Sequence, residues 1–219
     1  LVPRFGRDVS RRDAACTLVG GPSAMPLGIA PTAMCSTFWP QGELQLARAA
    51  KKFGIPYATS TMASTTLEDI AAVGGRLWFQ LYQYNEKKNG ASYTEALCRR
   101  AAASGYETLL VTVDVPMMAN RERDRRHGLS YAGGVTPRIL WAGAQRPGWA
   151  LQVLANGFPR ARNLPAEPGR RPELDPALTW DKLARIRDVW PHRILIKGIL
   201  SPADAVIAAQ RGFDGIVVS

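Results

Sequence analysis

The sequence predicts an α/β fold, an incomplete (β/α)8 TIM barrel with about six of its eight βα strands present. Short apolar runs bounded by Gly, Pro or polar residues alternate with helical patterns, which is how βα units around a parallel sheet read. Strand starts near 26, 56, 77, 108, 194 and 214 keep the usual βα repeat of about 20 to 30 residues with one break. No GxGxxG turn follows the first strand, so a doubly wound dinucleotide-binding sheet fits less well.

The strand candidates are Pro26 to Ala30, Pro56 to Ser60, Leu77 to Tyr82, Thr108 to Val113, Ile194 to Lys197 and Gly215 to Val218, each too short for a buried helix. Between them, Gly42 to Phe53 carries Leu44, Ala47 and Ala50 on one stripe and stops at Gly54. Thr66 to Val73 follows a Ser/Thr cap, Tyr93 to Ala103 stops at Gly105, and Thr179 to Val189 ends before Pro191. Ser201-Pro202 pairs a cap with a proline at the first helical position, ahead of a stop at Gly212. The break in the repeat is a loop insertion over residues 120–178, placed after strand 4 within one domain spanning residues 1–219.

A chain of 219 residues, 46% of them hydrophobic, can bury one sizeable core and lacks the composition of a disordered protein. The three cysteines, Cys16, Cys35 and Cys98, are far apart and form no CxxC, so neither a disulfide framework nor a metal site is expected. No run approaches the ~18 apolar residues needed to span a bilayer. The net charge is +10, and residues 120–178 hold ten arginines against five acids, half of that surplus. Leu1 is not a methionine, and Gly215 to Ser219 reads as a strand that stops without a turn. A fragment is the expectation.

In a βα barrel the active site lies at the C-terminal ends of the strands. Polar residues gather there: Pro31-Thr32-Ala33 follows strand 1, Ser60 ends strand 2, Gln80 and Tyr82 end strand 3, Thr112 and Asp114 end strand 4, Lys197 ends strand 5 and Ser219 ends strand 6. Ser60 and Thr112 also read as ordinary satisfied core hydroxyls. An amide, a phenol and a carboxylate at strand ends are costly to bury without partners. Lys197, between Leu195-Ile196 and Gly198-Ile199, is expected to face an anion in the barrel mouth.

Five segments in order, Gly28 to Ala33, Phe79-Gln80-Leu81-Tyr82, Thr112-Val113-Asp114, Arg121-Glu122-Arg123-Asp124 and Leu195-Ile196-Lys197-Gly198, make the chain resemble the FMN-dependent 2-hydroxy-acid dehydrogenases and oxidases. The wording around Trp39-Pro40, Arg121 to Asp124 and Trp190-Pro191-His192 is most similar to the mandelate and lactate dehydrogenase branch. The resemblance implies an oxidoreductase that converts a mandelate- or L-lactate-like 2-hydroxy acid to the 2-oxo acid on FMN. It puts Pro31, Thr32, Ala33, Ser60, Gln80, Thr112, Lys197 and Ser219 at the cofactor, with Lys197 near the edge of the flavin that becomes negative on reduction. Arg121 would grip the substrate carboxylate, Tyr82 would hydrogen-bond near the reacting carbon, and Asp114 would orient a histidine base.

The chain's two histidines, His127 in the insertion and His192 before strand 5, both read as surface residues. The family's base lies two positions beyond the serine matching Ser219, so this stretch alone is expected to be inactive.

By the same resemblance the insertion covers the site and, in the membrane-bound branch, docks on a bilayer. Peripheral contact through residues 137–164 on the inner face of the membrane of an otherwise cytoplasmic protein is the expectation, with a homo-oligomeric parent. Ile139, Leu140, Trp141, Trp149, Leu151, Val153, Leu154 and Phe158 with flanking arginines have the composition of an interfacial segment. The competing reading is a solvated lid. A rival for the whole chain is a non-catalytic basic module or remnant that contacts anionic membrane or nucleic acid, yet no nucleic-acid-binding motif accompanies the arginines. A different FMN barrel of the isomerase type would share the flavin contacts but not Arg121 with Asp114.

Overall fold

Side-chain alternation along five parallel strands decides this architecture. The computed structural model describes residues 5–6, 8–85, 92–117, 119–126, 137–164 and 173–219; His127 therefore lies outside the described residues. A hairpin, β1 (Cys16–Leu18) and β2 (Gly21–Ser23), precedes a sheet of β3 (Tyr57–Ser60), β4 (Leu77–Tyr82), β5 (Thr108–Thr112), β6 (Arg193–Lys197) and β7 (Gly215–Val217). The sheet strands pair in sequence order, each parallel to the next. The strand order never reverses, and the helices Gly42–Lys52, Leu67–Ala71, Ser92–Ala103, Trp180–Val189 and Pro202–Gln210 all contribute residues to one core cluster with the sheet. This is the winding of a barrel and not of a doubly wound sheet.

The first expected strand shrinks to one residue. Ile29 donates its N–H to Pro56 O and accepts from Ala58 N, a single parallel bridge to Tyr57. Pro26 and Pro31 flank it without N–H groups, so the ladder cannot extend far either way.

The helices are α1 (Gly42–Lys52), α2 (Leu67–Ala71), α3 (Ser92–Ala103), α4 (Glu122–Arg126), α5 (Pro137–Ala144), α6 (Pro147–Asn156), α7 (Trp180–Val189) and α8 (Pro202–Gln210). Thr66, Thr179 and Ser201 cap α2, α7 and α8 by accepting from Asp69 N, Lys182 N and Asp204 N. The insertion after β5 is thus not bare loop, since it holds α4, α5 and α6. It returns beside β4 through a bridge between Tyr84 and Leu174.

Odd and even positions of the strands go to different cores. Tyr57, Phe79, Leu81, Leu109, Val111, Ile194 and Ile196 pack with the helices in the main cluster. Ala58, Leu110 and Leu195 form a separate inner cluster with Trp78, Val217 and Val19. Val19 comes from the hairpin turn, where it and Gly20 both have positive φ, 47° and 74°. A two-residue turn of this hand favours Asn or Gly, and a β-branched residue there is strained. Its side chain is held by the inner cluster, so the hairpin plugs the N-terminal end of the sheet. Arg76 fixes it there, donating to Leu18 O (3.0 Å) and Pro22 O (2.9 Å). The C-terminal end is the one with a mouth.

Candidate active site

Along the inner face the side chains change from apolar to polar toward that mouth. Above Ala58, Leu110 and Leu195 stand Ser60, Gln80, Thr112 and Lys197, two residues further along β3, β5 and β6 and at the inner position of β4. Ser60, Gln80 and Thr112 are buried and Lys197 is half-buried.

Three strands are linked through one amide. Gln80 Oε1 accepts from Ser60 Oγ (3.2 Å) and from Thr61 N (3.4 Å), while Gln80 Nε2 donates to Thr112 Oγ1 (2.8 Å). Because a backbone N–H can only donate, Thr61 fixes which way the amide points. Ser60 Oγ also accepts from Met62 N, and Met34 N donates to Met62 O. That pair holds the segment after the first strand, with Pro31 half-buried and Thr32 and Ala33 exposed, against the tip of β3.

Lys197 is the register partner of Thr112. Its ammonium donates to Ser219 Oγ at 2.9 Å, and among the described residues it has no carboxylate partner. Asp114 lies against the backbone of Gly198, so that a Cβ there would stand 2.6 Å from Asp114 Cγ. Asp114 is exposed, contrary to the burial anticipated for a strand-end carboxylate, because the chain has left β5 two residues earlier. Tyr82 is half-buried opposite Thr112 in the ladder. Arg121 is exposed and is carried by the loop just before α4, not by a strand. His192 is exposed at the N-terminal end of β6, the floor side.

Ser60, Gln80 and Thr112 thus touch in a row, Lys197 and Ser219 touch beside it, Asp114 adjoins through Gly198, and Arg121 is carried by the loop before α4. A cavity of ≈ 330 Å³ opens by Thr112 and Gly198, lined also by Gln83, Asp175 and Asp204. Gln83, whose buried Oε1 has no partner among the described residues, was not singled out by sequence, since an amide one residue past a strand tip carries no distinctive signal.

Glu43 was also missed. It is completely buried, and its carboxylate accepts from Cys35 N, Ser36 Oγ, Ser64 N, Ser64 Oγ and Thr65 Oγ1. Burial pushes this carboxyl up, but hydrogen bonds from the Ser64 side chain and backbone, with those of its other donors, hold it below the usual glutamate range. A glutamate in a first helical turn reads as a solvated charge, so nothing in sequence distinguishes this one. Burial raises the thiols of Cys35 and Cys98 to about 11 and about 12, which makes neither a nucleophile at neutral pH. Among the described residues no group of His, Cys, Asp and Glu converges as a metal site.

The sequence profile described as FMN-dependent dehydrogenase matches residues 1–219. The chain belongs to this family. It is 35% identical to (S)-mandelate dehydrogenase of Pseudomonas putida over 97% of this chain and 55% of that protein. With an L-lactate dehydrogenase of Caulobacter vibrioides it shares 36% identity over 100% of this chain and 59% of the relative. A crystal structure of (S)-mandelate dehydrogenase, described as a monotopic membrane protein, superposes with a TM-score of 0.89 at 33% identity, over 99% of this chain and 60% of that one. The chain therefore spans a little over half the length of these relatives. Its inner-face donor set suits the family's cofactor: an amide and two hydroxyls satisfy ring carbonyls and N–H groups, and a lysine with no carboxylate partner among the described residues offers positive charge.

Proposed function

We propose that the protein to which this chain belongs oxidises a small 2-hydroxy acid, mandelate- or L-lactate-like, to the 2-oxo acid with FMN. The observation that carries this reading is the linked row Ser60, Gln80, Thr112 with Lys197 in register beside it. Three polar side chains joined across adjacent strands form a preorganised edge, and such an edge costs little to reorganise when charge develops. When bound, FMN supplies a two-electron acceptor. Ser60, Gln80, Thr112 and Lys197, with the backbone of Pro31, Thr32 and Ala33, would hold it. Ser219 keeps the Lys197 ammonium oriented, and the absence of a described carboxylate beside it leaves its charge free to stabilise an anion.

Toward substrate, Arg121 offers a planar guanidinium that matches a carboxylate in two hydrogen bonds. Tyr82 would hydrogen-bond the substrate oxygen. Asp114 would steady an imidazolium base, holding the ring in one tautomer as the acid of a Ser-His-Asp triad does. No described residue supplies that base, since His192 lies at the opposite end of the sheet.

The test is anaerobic addition of (S)-mandelate or L-lactate to the purified full-length protein. Bleaching of flavin absorbance is expected with at least one of them. A yellow protein whose spectrum neither acid changes would remove the assigned substrate class.

A second reading concerns the membrane. We infer peripheral contact through residues 137–164, on the inner membrane face. Leu140, Trp141, Leu151 and Leu154 on α5 and α6, with Phe158 just beyond, are all exposed, and Arg146, Arg160 and Arg162 flank them. Apolar side chains that sink among headgroups beside cations that meet anionic lipid are the ingredients of interfacial binding. No helix among the described residues is long and apolar enough to cross a membrane.

A further inference from the structure

We propose that the cavity between α6, α1 and the short turn Cys35–Thr37 receives the phosphate of one phospholipid headgroup, with Arg160 and Arg162 as its cations. This rests on the membrane reading above. The cavity measures ≈ 220 Å³, about seven water volumes at ~30 Å³ each, room for a phosphate and its ester oxygens. Arg160 and Arg162 both line it, and neither has a carboxylate partner among the described residues. Arg99, Arg100 and Arg211, by contrast, are held by Glu95, Glu68 and Asp181. Two unpaired guanidiniums in one concavity are a ready receptor for phosphate oxygens.

The walls are built, not merely near one another. Arg162 N donates to Ala63 O at 3.0 Å. The next residue, Asn163, is buried and bonds both ways, donating to Thr65 O (3.1 Å) and accepting from Leu67 N (3.0 Å). The backbone bearing the arginines is therefore fixed on the core at the start of α2. Across the cavity, Trp149 Nε1 donates to Thr37 O at 2.9 Å and ties α6 to the turn. Ser36, Ser64 and Thr65 also line the space, but their hydroxyls donate inward to Glu43, so the arginines are the strong donors left to a ligand. Asp69 is the carboxylate on the lining, a single charge against two.

The surroundings indicate a lipid as the source of the phosphate. Phe38 and Trp39 are 79% and 66% exposed and lie between Ser36 and Pro40, both of which line the cavity. Just past α6, Phe158 lines the cavity while remaining half in solvent. Exposed apolar residues thus border the arginine pair on two separate elements. A soluble phosphate would gain nothing from them, whereas a headgroup whose acyl chains continue into a bilayer would bring both rims into apolar surroundings.

The experiment uses the full-length protein and sedimentation with phosphatidylglycerol vesicles. Arg160→Gln with Arg162→Gln should weaken vesicle binding by about tenfold or more, the loss of charge-assisted hydrogen bonds. Arg11→Gln with Arg12→Gln, which removes the same charge from exposed positions, should change it little. Free glycerol 1-phosphate should compete with vesicles for wild type and not for the cavity variant. Equal weakening by the two double variants would overturn the cavity and leave diffuse charge. Binding of glycerol phosphate with vesicle affinity unaltered by the cavity substitutions would overturn the lipid source. Wild type that sediments with no vesicle would instead overturn the membrane reading beneath the proposal.

Discussion

Gly198 has φ +107°, and a Cβ built on it would lie 2.6 Å from Asp114 Cγ and 2.9 Å from Asp114 Oδ1. The missing side chain is what lets the carboxylate rest beside the tip of β6, next to the residue that carries the ammonium. Gly198→Ala should therefore move Asp114 and strain the backbone, at about 1 to 3 kcal/mol. In the full-length protein, on the function proposed above, we expect FMN content near wild type and a fall in kcat of at least about tenfold. Kinetics unchanged from wild type would show that the seat of Asp114 does not matter.

Gln80→Leu should strand the hydroxyls of Ser60 and Thr112 in a buried place, since both bond to this one amide, while Thr61 N keeps the backbone carbonyl of position 80 at 3.0 Å. A loss of about 1 to 3 kcal/mol is expected from unmade buried hydrogen bonds. Thermal unfolding of apoprotein gives the structural part, and FMN titration gives any further loss. Tolerance of the change in both would mean the row is incidental.

Much of the fold could be read from the chain because alternation and caps are local signals. Thr66, Thr179 and Ser201 mark helix starts wherever the chain folds, and β3 to β7 carry apolar runs between turn residues. The β1–β2 hairpin could not be read that way. Its strands are three residues each, and its turn carries Val19, whose unfavourable φ is set by packing against Ala58, Leu110 and Leu195. Pro26 and Pro31 were visible, yet their joint effect on the first strand depends on what lies beside it. At the site, residue type and strand end identified Ser60, Gln80, Thr112 and Lys197. Which of them touch was not legible, because that depends on the stagger between strands. Glu43 was illegible for a similar reason: its five donors come from two turns that only the folded chain brings together.

Glu43 makes stability depend on pH in a stated direction. Its folded pKa is lowered from an ordinary 4.5, so its contribution is fully present above that ordinary value and is lost as pH falls through the folded one. Glu43→Gln replaces an acceptor oxygen by a donor facing donors. It should cost roughly 1 to 3 kcal/mol at pH 7 and flatten the acid limb of the unfolding profile. An acid limb identical to that of wild type would contradict the assignment of this carboxylate.

For the membrane reading, Leu151→Ser with Leu154→Ser removes two exposed apolar side chains from α6 without touching the core. Fractionation of cells that make the full-length protein should then move it from the pellet to the soluble fraction. Persistence in the pellet would argue against α6 as an anchor.

Titration of FMN into full-length apoprotein, followed by quenching of flavin fluorescence, tests the central claim most directly. The strand-tip account predicts saturable binding by wild type, weakened at least about tenfold by Lys197→Met and by Gln80→Leu, in keeping with the loss of a charged or buried hydrogen bond. Wild-type affinity in both variants would contradict it.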